Sequence, residues 1–312
     1  MTITQLEYII AVDNYKNFVK ASKSCCITQP TLSMQIQKLE DELNTKIFDR
    51  SKHPIVCTPI GLEIVNQARL TLSEFQKIEN VVNQDKKNLS GELKIGVIPT
   101  LAPYLLPLFL NNFIEKYPDI NLKVREQTTQ QITEGLITNK LDIGLMATPL
   151  QNKVLKETPI FQEELLLYVS QENALYQKKY AVSQEIDPAE LWLLEEGHCL
   201  RSQIENLCEL RKHAITKHQF EYQAGSLETL IKMVDRNNGI TILPELCTLD
   251  FEEKRQKQVR HFVEPAPVRE ISLVCSVNYN KNAFLKALKE TIINVLPENI
   301  LNKTNQQIVH FT

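Results

Sequence analysis

Glycine is scarce in this chain, at eight residues in 312, and no G-x-G-x-x-G occurs. A nucleotide held on a glycine-rich strand-to-helix turn is therefore not expected, and no cofactor is inferred. No Ser/His/Asp triad, phosphate-cradling loop or paired-carboxylate site is evident either, so the chain does not read as an enzyme. No apolar run approaches the roughly eighteen residues of a membrane-spanning helix. The opening Met-Thr-Ile-Thr-Gln-Leu-Glu lacks both the basic and the apolar part of an export signal. These absences point to a cytoplasmic protein with no membrane contact. The seven cysteines (25, 26, 57, 199, 208, 247, 275) are odd in number and scattered, which does not suit a secreted disulfide framework. In a reducing compartment a bridge between any two would be transient or regulatory. No basic tract advertises a nucleic-acid surface, and the net charge of −3 decides little. A DNA reader would have to be recognised from a motif.

What is present is enough apolar material, 43% of 312 residues, for two or three domains. Residues 5–12 and 16–25 read as short amphipathic helices. A turn follows, then Thr28-Gln29-Pro30-Thr31-Leu32-Ser33-Met34-Gln35-Ile36-Gln37-Lys38-Leu39-Glu40. Thr28 or Gln29 suits the N-cap, and Pro30 the first turn, where a missing N–H costs nothing. Leu32, Ile36, Leu39 and Leu43 are expected to form one buried stripe. Thr31, Ser33, Gln35 and Lys38 lie opposite it, short polar groups suited to phosphates and base edges. With Ile55-Val56-Cys57 as a strand of a small wing, residues 1–58 read as a winged helix-turn-helix.

Thr58-Pro59 starts a long helix to about residue 84. Val65 and Leu72, and Ala68, Phe75 and Val82, recur at seven-residue spacing, a seam for one partner helix. The polar stretch 85–91 marks a boundary, making 59–90 a linker and 91–312 an effector domain. From residue 92, strands (93–98, 121–126, 141–146) alternate with helices (103–117, 130–138), the order of a parallel α/β sheet. Ligands of such sheets sit beyond the carboxyl ends of the strands, where Thr100 and Thr129 fall, with Asp142 on the third strand. A strand at 163–170 leaves for a second lobe. That lobe holds a strand at 220–223, a helix at 227–235 and a strand ending at Pro244. Strands at 259–263 and 271–276 return to the first lobe, and a helix at 283–295 closes it. Lobe I spans about 91–162 and 268–300, and lobe II about 163–267; residues 300–312 carry no assignment.

Between Gly197 and Cys208 the sequence reads Gly-His-Cys-Leu-Arg-Ser-Gln-Ile-Glu-Asn-Leu-Cys. Leu200, Ile204 and Leu207 follow helical spacing. A thiol reacts as thiolate, and a neighbouring imidazolium or guanidinium favours that form, so His198 and Arg201 flanking Cys199 are suggestive. Along a helix, nine residues at about 1.5 Å each separate the two cysteines by roughly 13 Å. A disulfide needs Cα atoms within about 7 Å, so closure requires local unfolding. The spacing alone leaves open two unrelated cysteines. His213 and His218 add a zinc reading, but the tight cysteine spacing of structural sites is missing, and no metal is inferred.

The run Ala21-Ser22-x-x-Cys25-x-x-Thr28-Gln29-Pro30-Thr31-Leu32-Ser33-x-Gln35-Ile36-x-x-Leu39-Glu40, with Ile47-Phe48-x-Arg50 and Thr58-x-x-Gly61, resembles the DNA-binding domain of LysR-type transcriptional regulators. Pro30-Thr31-Leu32-Ser33, Lys38-Leu39-Glu40-Asp41-Glu42-Leu43, Ile98-Pro99-Thr100, Gly197-His198-Cys199-Leu200-Arg201 and Ser226-Leu227-Glu228-Thr229-Leu230 are most similar to the OxyR hydrogen peroxide sensors of that family. The resemblance implies a winged helix-turn-helix, a long linker helix and a periplasmic-binding-protein-like effector domain of two α/β lobes. It implies that Gln29, Pro30, Thr31, Ser33 and Met34 face the major groove with Lys38, and that Arg50 lies near phosphates. Met34 departs from hydrogen-bonding readout, Ser22 replaces an alanine, and Asn44 replaces a glycine at a helix end where Asn tolerates the left-handed cap.

For the effector half it implies a peroxidatic Cys199 and a resolving Cys208. Thr100, Thr129 and His198 would hydrogen-bond peroxide, and Arg201 would favour the thiolate. The implied partners are palindromic promoter DNA, a dimer through the linker helix, a homotetramer, RNA polymerase, and hydrogen peroxide as signal. The implied function is control of antioxidant genes, through a conformational change driven by a reversible Cys199–Cys208 disulfide. The alternatives are a LysR regulator answering a small organic effector in the inter-lobe cleft and a thiol peroxidase, which residues 1–60 argue against.

Overall fold

Thr2 accepts the Gln5 amide on its hydroxyl, and Gln5 accepts the Thr2 amide in return; this reciprocal cap starts α1 (Ile3–Tyr15). The computed structural model describes residues 1–83, 89–208, 224–277, 279, 281–301 and 306–310. It divides into two units, Met1–Lys87 and Asn88–Thr312.

In the first unit, α2 (Phe18–Ser24) is followed by α3 (Gln29–Glu42), which Thr28 caps with Pro30 in the first turn. Leu32, Ile36 and Leu39 of α3 are fully buried against Ile9, Val12 and Ala21, whereas Leu43, expected on the same stripe, is exposed because the helix ends there. Asn44 ends the helix at φ 47°, the conformation its short polar side chain tolerates. The wing is β1 (Phe48–Asp49) antiparallel to β2 (Val56–Cys57). It is pinned to α3 by Glu40, whose buried carboxylate accepts the amides of Ile47 and Phe48 at 2.8 and 3.2 Å.

Next comes α4 (Pro59–Asn83). Thr58 caps it and also donates to the Lys46 carbonyl at 2.7 Å. The heptad reading needs correction here. Val65 and Ala68 pack into this unit's own core, because the first turns of α4 lie against α1 and Arg69 pairs with buried Asp13 at 2.7 Å. Phe75 further along stays exposed, as do Ile60 and Leu62.

The second unit starts with β3 (Gly91–Val97), α5 (Ala102–Lys116), β4 (Ile120–Glu126), α6 (Thr129–Ile137) and β5 (Ile143–Thr148), with β3 parallel to both neighbours. Then follow β6 (Leu155–Val169), β7 (Tyr180–Ala181), α7 (Cys199–Leu207), α8 (Leu227–Asn237) and β8 (Ile240–Pro244). The remainder is α9 (Glu253–Gln256), β9 (Val259–Phe262), β10 (Ala266–Ser276), α10 (Asn282–Val295), α11 (Glu298–Leu301) and β11 (Gln306–Ile308).

The strand order is β4-β3-β5-β10-β6-β9-β7, with β8 also on β6 and β11 on β10. Two buried clusters divide this unit, one around Phe109, Phe113, Leu145 and Leu273, the other around Leu167, Tyr168, Ile231 and Ile242. Two sequence expectations shift. The crossing strand begins at Leu155, eight residues before 163, because its first half pairs with β10 in the first lobe. The strand at 259–262 stays with the second lobe, paired to β6 and β7. The strand expected at 220–223, and the boundary residues 84–88, lie outside the described residues.

Candidate functional site

Val97 and Glu126 are register partners at the carboxyl ends of β3 and β4. Thr100 and Thr129, each three residues beyond, leave the same edge of the sheet. Thr100 is buried, and its Oγ1 accepts Nη1 of Arg269 at 2.8 Å while its carbonyl accepts Nη2 at 3.1 Å. Arg269 has no exposed surface and is held by Glu163, equally buried, at 2.5 Å. Burial pushes the Glu163 carboxyl up, opposed by the charge and hydrogen bond of Arg269 and by the Leu246 amide. Thr129 is the first residue of α6, and its Oγ1 is buried with no hydrogen-bond partner among the described residues. Asp142, which the sequence placed on a strand beside these threonines, precedes β5. Its carboxylate accepts the Lys94 amide at 2.8 Å and pairs with Lys281, so its role is to tie strands together.

Gly197, at φ 97°, turns the chain into α7, with His198 as N-cap and Cys199 as the first helical residue. Cys199 packs into the first lobe's cluster, whereas Leu200 and Ile204 of the same helix pack into the second's. The thiol therefore lies where the two cores meet, at the amino end of α7. His198 is buried, its Nε2 is 3.8 Å from the Glu195 carboxylate, and it also senses Glu126 at the end of β4. Desolvation holds its pKa below the ordinary value, against the upward pull of those two carboxylates. At neutral pH it is an uncharged imidazole able to donate one hydrogen bond and accept another.

Arg201 is paired along α7 and with the segment before it. Its Nε donates to Glu205 at 2.8 Å, one helical turn on, and its Nη1 to the Leu194 carbonyl at 2.9 Å. Among the described residues, the cation that hydrogen-bonds Thr100 is Arg269, which the sequence reading missed. The available signal was a charged residue of each sign next to apolar strand sequence, Arg269 between Val268 and Glu270-Ile271, and Glu163 just ahead of Leu165-Leu166-Leu167. Cys208 is the C-cap of α7, half-buried, and burial pushes its thiol up to about 12. A groove of about 500 Å³ lined by residues 183–188, Leu207 and Cys208 opens beside it. Cys247, in the 3₁₀ turn Glu245–Thr248, is buried beside Tyr104 and likewise raised by burial to about 12. Among the described residues no three His, Cys, Asp or Glu side chains converge on a metal position; His213 and His218 lie outside them.

In the first unit Gln29, Pro30, Met34 and Lys38 of α3 are exposed, Met34 at 62%. Thr31 exchanges a hydroxyl hydrogen bond with Thr28 at 2.8 Å. Arg50 and Ser33 are brought together: Nη1 donates to Ser33 Oγ at 3.2 Å, Nη2 to Glu40 at 3.1 Å, and the guanidinium lies over Phe18. Arg50 thus braces the wing against α3. Cys26 is exposed in the turn before α3, at φ 55°. Among the described residues, no helix is long and apolar enough to cross a membrane.

Residues 86–297 match the LysR substrate binding domain, and residues 3–62 the bacterial regulatory helix-turn-helix protein of the lysR family. The chain is 38% identical to a hydrogen peroxide-inducible genes activator of Haemophilus influenzae, over 88% of this chain and 90% of the relative. A full-length OxyR variant from Pseudomonas aeruginosa superposes with a TM-score of 0.82 at 30% identity, covering 95% of this chain and 99% of that one. An H2O2-bound OxyR mutant from Corynebacterium glutamicum gives a TM-score of 0.61 at 26% identity, covering 98% of each chain. The chain belongs to the LysR family of helix-turn-helix regulators and, within it, to the OxyR group.

Proposed function

We propose that this protein is a cytoplasmic transcriptional regulator that senses hydrogen peroxide through a reversible Cys199–Cys208 disulfide and activates antioxidant genes. The observation that carries the reading is α7 itself, with one cysteine at each end and its N-cap, His198, near enough to Glu126 at the end of β4 to feel its charge. The unpartnered Thr129 hydroxyl supports it further: a small hydroxylic ligand supplies what that buried atom lacks.

Peroxide enters beside Cys199, with Thr100, Thr129 and His198 as hydrogen-bond partners to its two oxygens and Arg269 holding Thr100. The Cys199 thiolate attacks one oxygen; the S–O bond forms, the O–O bond breaks, and hydroxide leaves as water after taking a proton. Cys208 as thiolate then attacks the sulfenic sulfur, and the second hydroxide leaves as water. In total two thiols lose two electrons and one peroxide becomes two waters. The chemistry is stoichiometric, one event per reduced protein, and glutathione-linked reductants reset it.

Residues 1–58 read DNA, 59–90 link and dimerise, and 91–312 sense. Gln29, Pro30, Thr31, Ser33, Met34 and Lys38 meet the major groove of a palindromic site. The exposed Ile60, Leu62 and Phe75 of α4 suit the dimer contact, and dimers pair into a tetramer that contacts RNA polymerase. The test is footprinting of the full chain on promoter fragments that it selects from genomic DNA, before and after peroxide. The wild-type footprint is expected to change with oxidation and that of Cys199→Ser to stay fixed. A footprint indifferent to peroxide in both would overturn the reading.

A further inference from the structure

Gln203 lies between the two cysteines on α7 and has no exposed surface. Its Nε2 donates to the Val309 carbonyl at 2.8 Å, and its Oε1 has no partner among the described residues. Asn206, three residues on and therefore on the same helix face, donates from Nδ2 to the His310 carbonyl at 2.9 Å. Both acceptors belong to one segment more than a hundred residues away. That segment is fastened elsewhere as well. Gln306, Gln307 and Ile308 pair in parallel with Ala266, Pro267 and Val268 of β10, and the Val309 amide donates to the Val268 carbonyl at 2.8 Å. The Val309 side chain is buried in the cluster that holds Leu200 and Ile204. The C-terminal segment is thus clipped to a sheet strand on one side and to the helix between the cysteines on the other.

We propose that Gln203 and Asn206 are positioning residues for the closure of the Cys199–Cys208 disulfide, latching α7 to the C-terminal segment 306–310 so that the latch must open before the sulfurs meet. The inference rests on the redox reading above. As a helix, the segment holds the two Cα atoms roughly 13 Å apart, and a disulfide tolerates about 7 Å at most. Residues 200–207 must therefore leave the helix, and a backbone leaving it carries the two amides off their carbonyls. The first step needs no such movement, because Cys199 meets peroxide at the helix start. The latch consequently separates the two steps. The sulfenic acid forms with α7 intact, and the S–S bond, with loss of water, waits for release. The unpaired Oε1 of Gln203 leaves this seat only half satisfied, as suits a contact that has to be given up.

The full reduced chain, its Gln203→Leu and Asn206→Ala variants, and wild type are mixed with peroxide and quenched at intervals with a sulfenate trap and a thiol alkylator. Mass spectrometry then follows Cys199 sulfenate and the Cys199–Cys208 bridge separately. Sulfenate formation is expected to stay within about twofold of wild type. Its conversion to disulfide should accelerate about five- to tenfold in each variant, the worth of one ordinary hydrogen bond. Independently of any variant, amide exchange in segment 306–310 of the wild type should rise at least about tenfold on oxidation. Closure at the wild-type rate or slower in both variants, or a segment equally protected in reduced and oxidised protein, overturns the latch while leaving the disulfide standing. Absence of the bridge in wild type overturns the redox reading and the latch together.

Discussion

Arg269 donates to the hydroxyl of Thr100 at 2.8 Å across 169 residues of sequence, from a position with no exposed surface. One guanidinium thereby serves a carboxylate, Glu163, and a hydroxyl at the sheet edge. Arg269→Met leaves Glu163 buried and unpaired, and removal of one partner of such a pair costs about 3–5 kcal/mol. Urea unfolding should register that loss, and adding Glu163→Gln should recover part of it. Arg269→Lys keeps the charge but not the fork, so it should retain more stability than Arg269→Met while still slowing the reaction of Cys199 with peroxide. Equal rates in Arg269→Lys and wild type would remove Arg269 from the site.

Burial pushes the Cys208 thiol up to about 12, so in the intact helix it is protonated and a poor nucleophile. If α7 opens first, Cys208 attacks from water with an ordinary pKa of about 8.5. The sulfenate-to-disulfide rate should then climb with pH and level off near that value, read by stopped flow. A climb continuing well beyond it would mean attack from the buried position.

His198 is buried with its pKa held below the usual value by desolvation. The unfolded chain therefore takes up a proton that the folded one resists. The sign follows: this group costs nothing above about pH 6.5, and stability falls as pH drops below that value towards the folded pKa. Denaturant midpoints measured at about pH 7.5 and about pH 5.5 should differ more in wild type than in His198→Gln. An identical difference in both would show that His198 carries no part of the acid sensitivity.

A Cβ placed on Gly61 would meet the Ile47 carbonyl oxygen at 2.0 Å and the Ile47 Cα at 2.8 Å. Both obstacles are backbone, and Thr58 fastens the same stretch through Lys46, so no side chain can yield. Gly61→Ala should destabilise the first unit by about 2–3 kcal/mol, at the upper end of overpacking costs. Thermal unfolding and DNA binding should show it, with the reaction of Cys199 unchanged.

The sequence made legible whatever rests on local pattern. The cap at Thr28, the buried stripe of α3, the alternation from β3 to β5, and the helix carrying Cys199 and Cys208 all follow from spacing within a dozen residues. Asn44 could be read as a left-handed cap because its side chain suits that backbone. The long-range partners were not legible. Nothing near Thr100 announces Arg269, and nothing near Gln203 announces Val309, since each pairing exists only once β10 and β11 are in place. Arg201 is different. Glu205 stands four residues on, a pairing that spacing alone offers, and it competes for the guanidinium assigned to Cys199 by resemblance. Val65 and Ala68 fit a seven-residue seam, but the same spacing serves a helix packed on its own domain.

The measurement that bears most directly on the whole account is thiol mapping by mass spectrometry after brief exposure to stoichiometric peroxide, on wild type, Cys199→Ser and Cys208→Ser. The expected result is a Cys199–Cys208 bridge in wild type alone and a persistent sulfenic acid at Cys199 in Cys208→Ser. Wild-type protein in which both remain thiols while the exposed Cys26 is oxidised would contradict it.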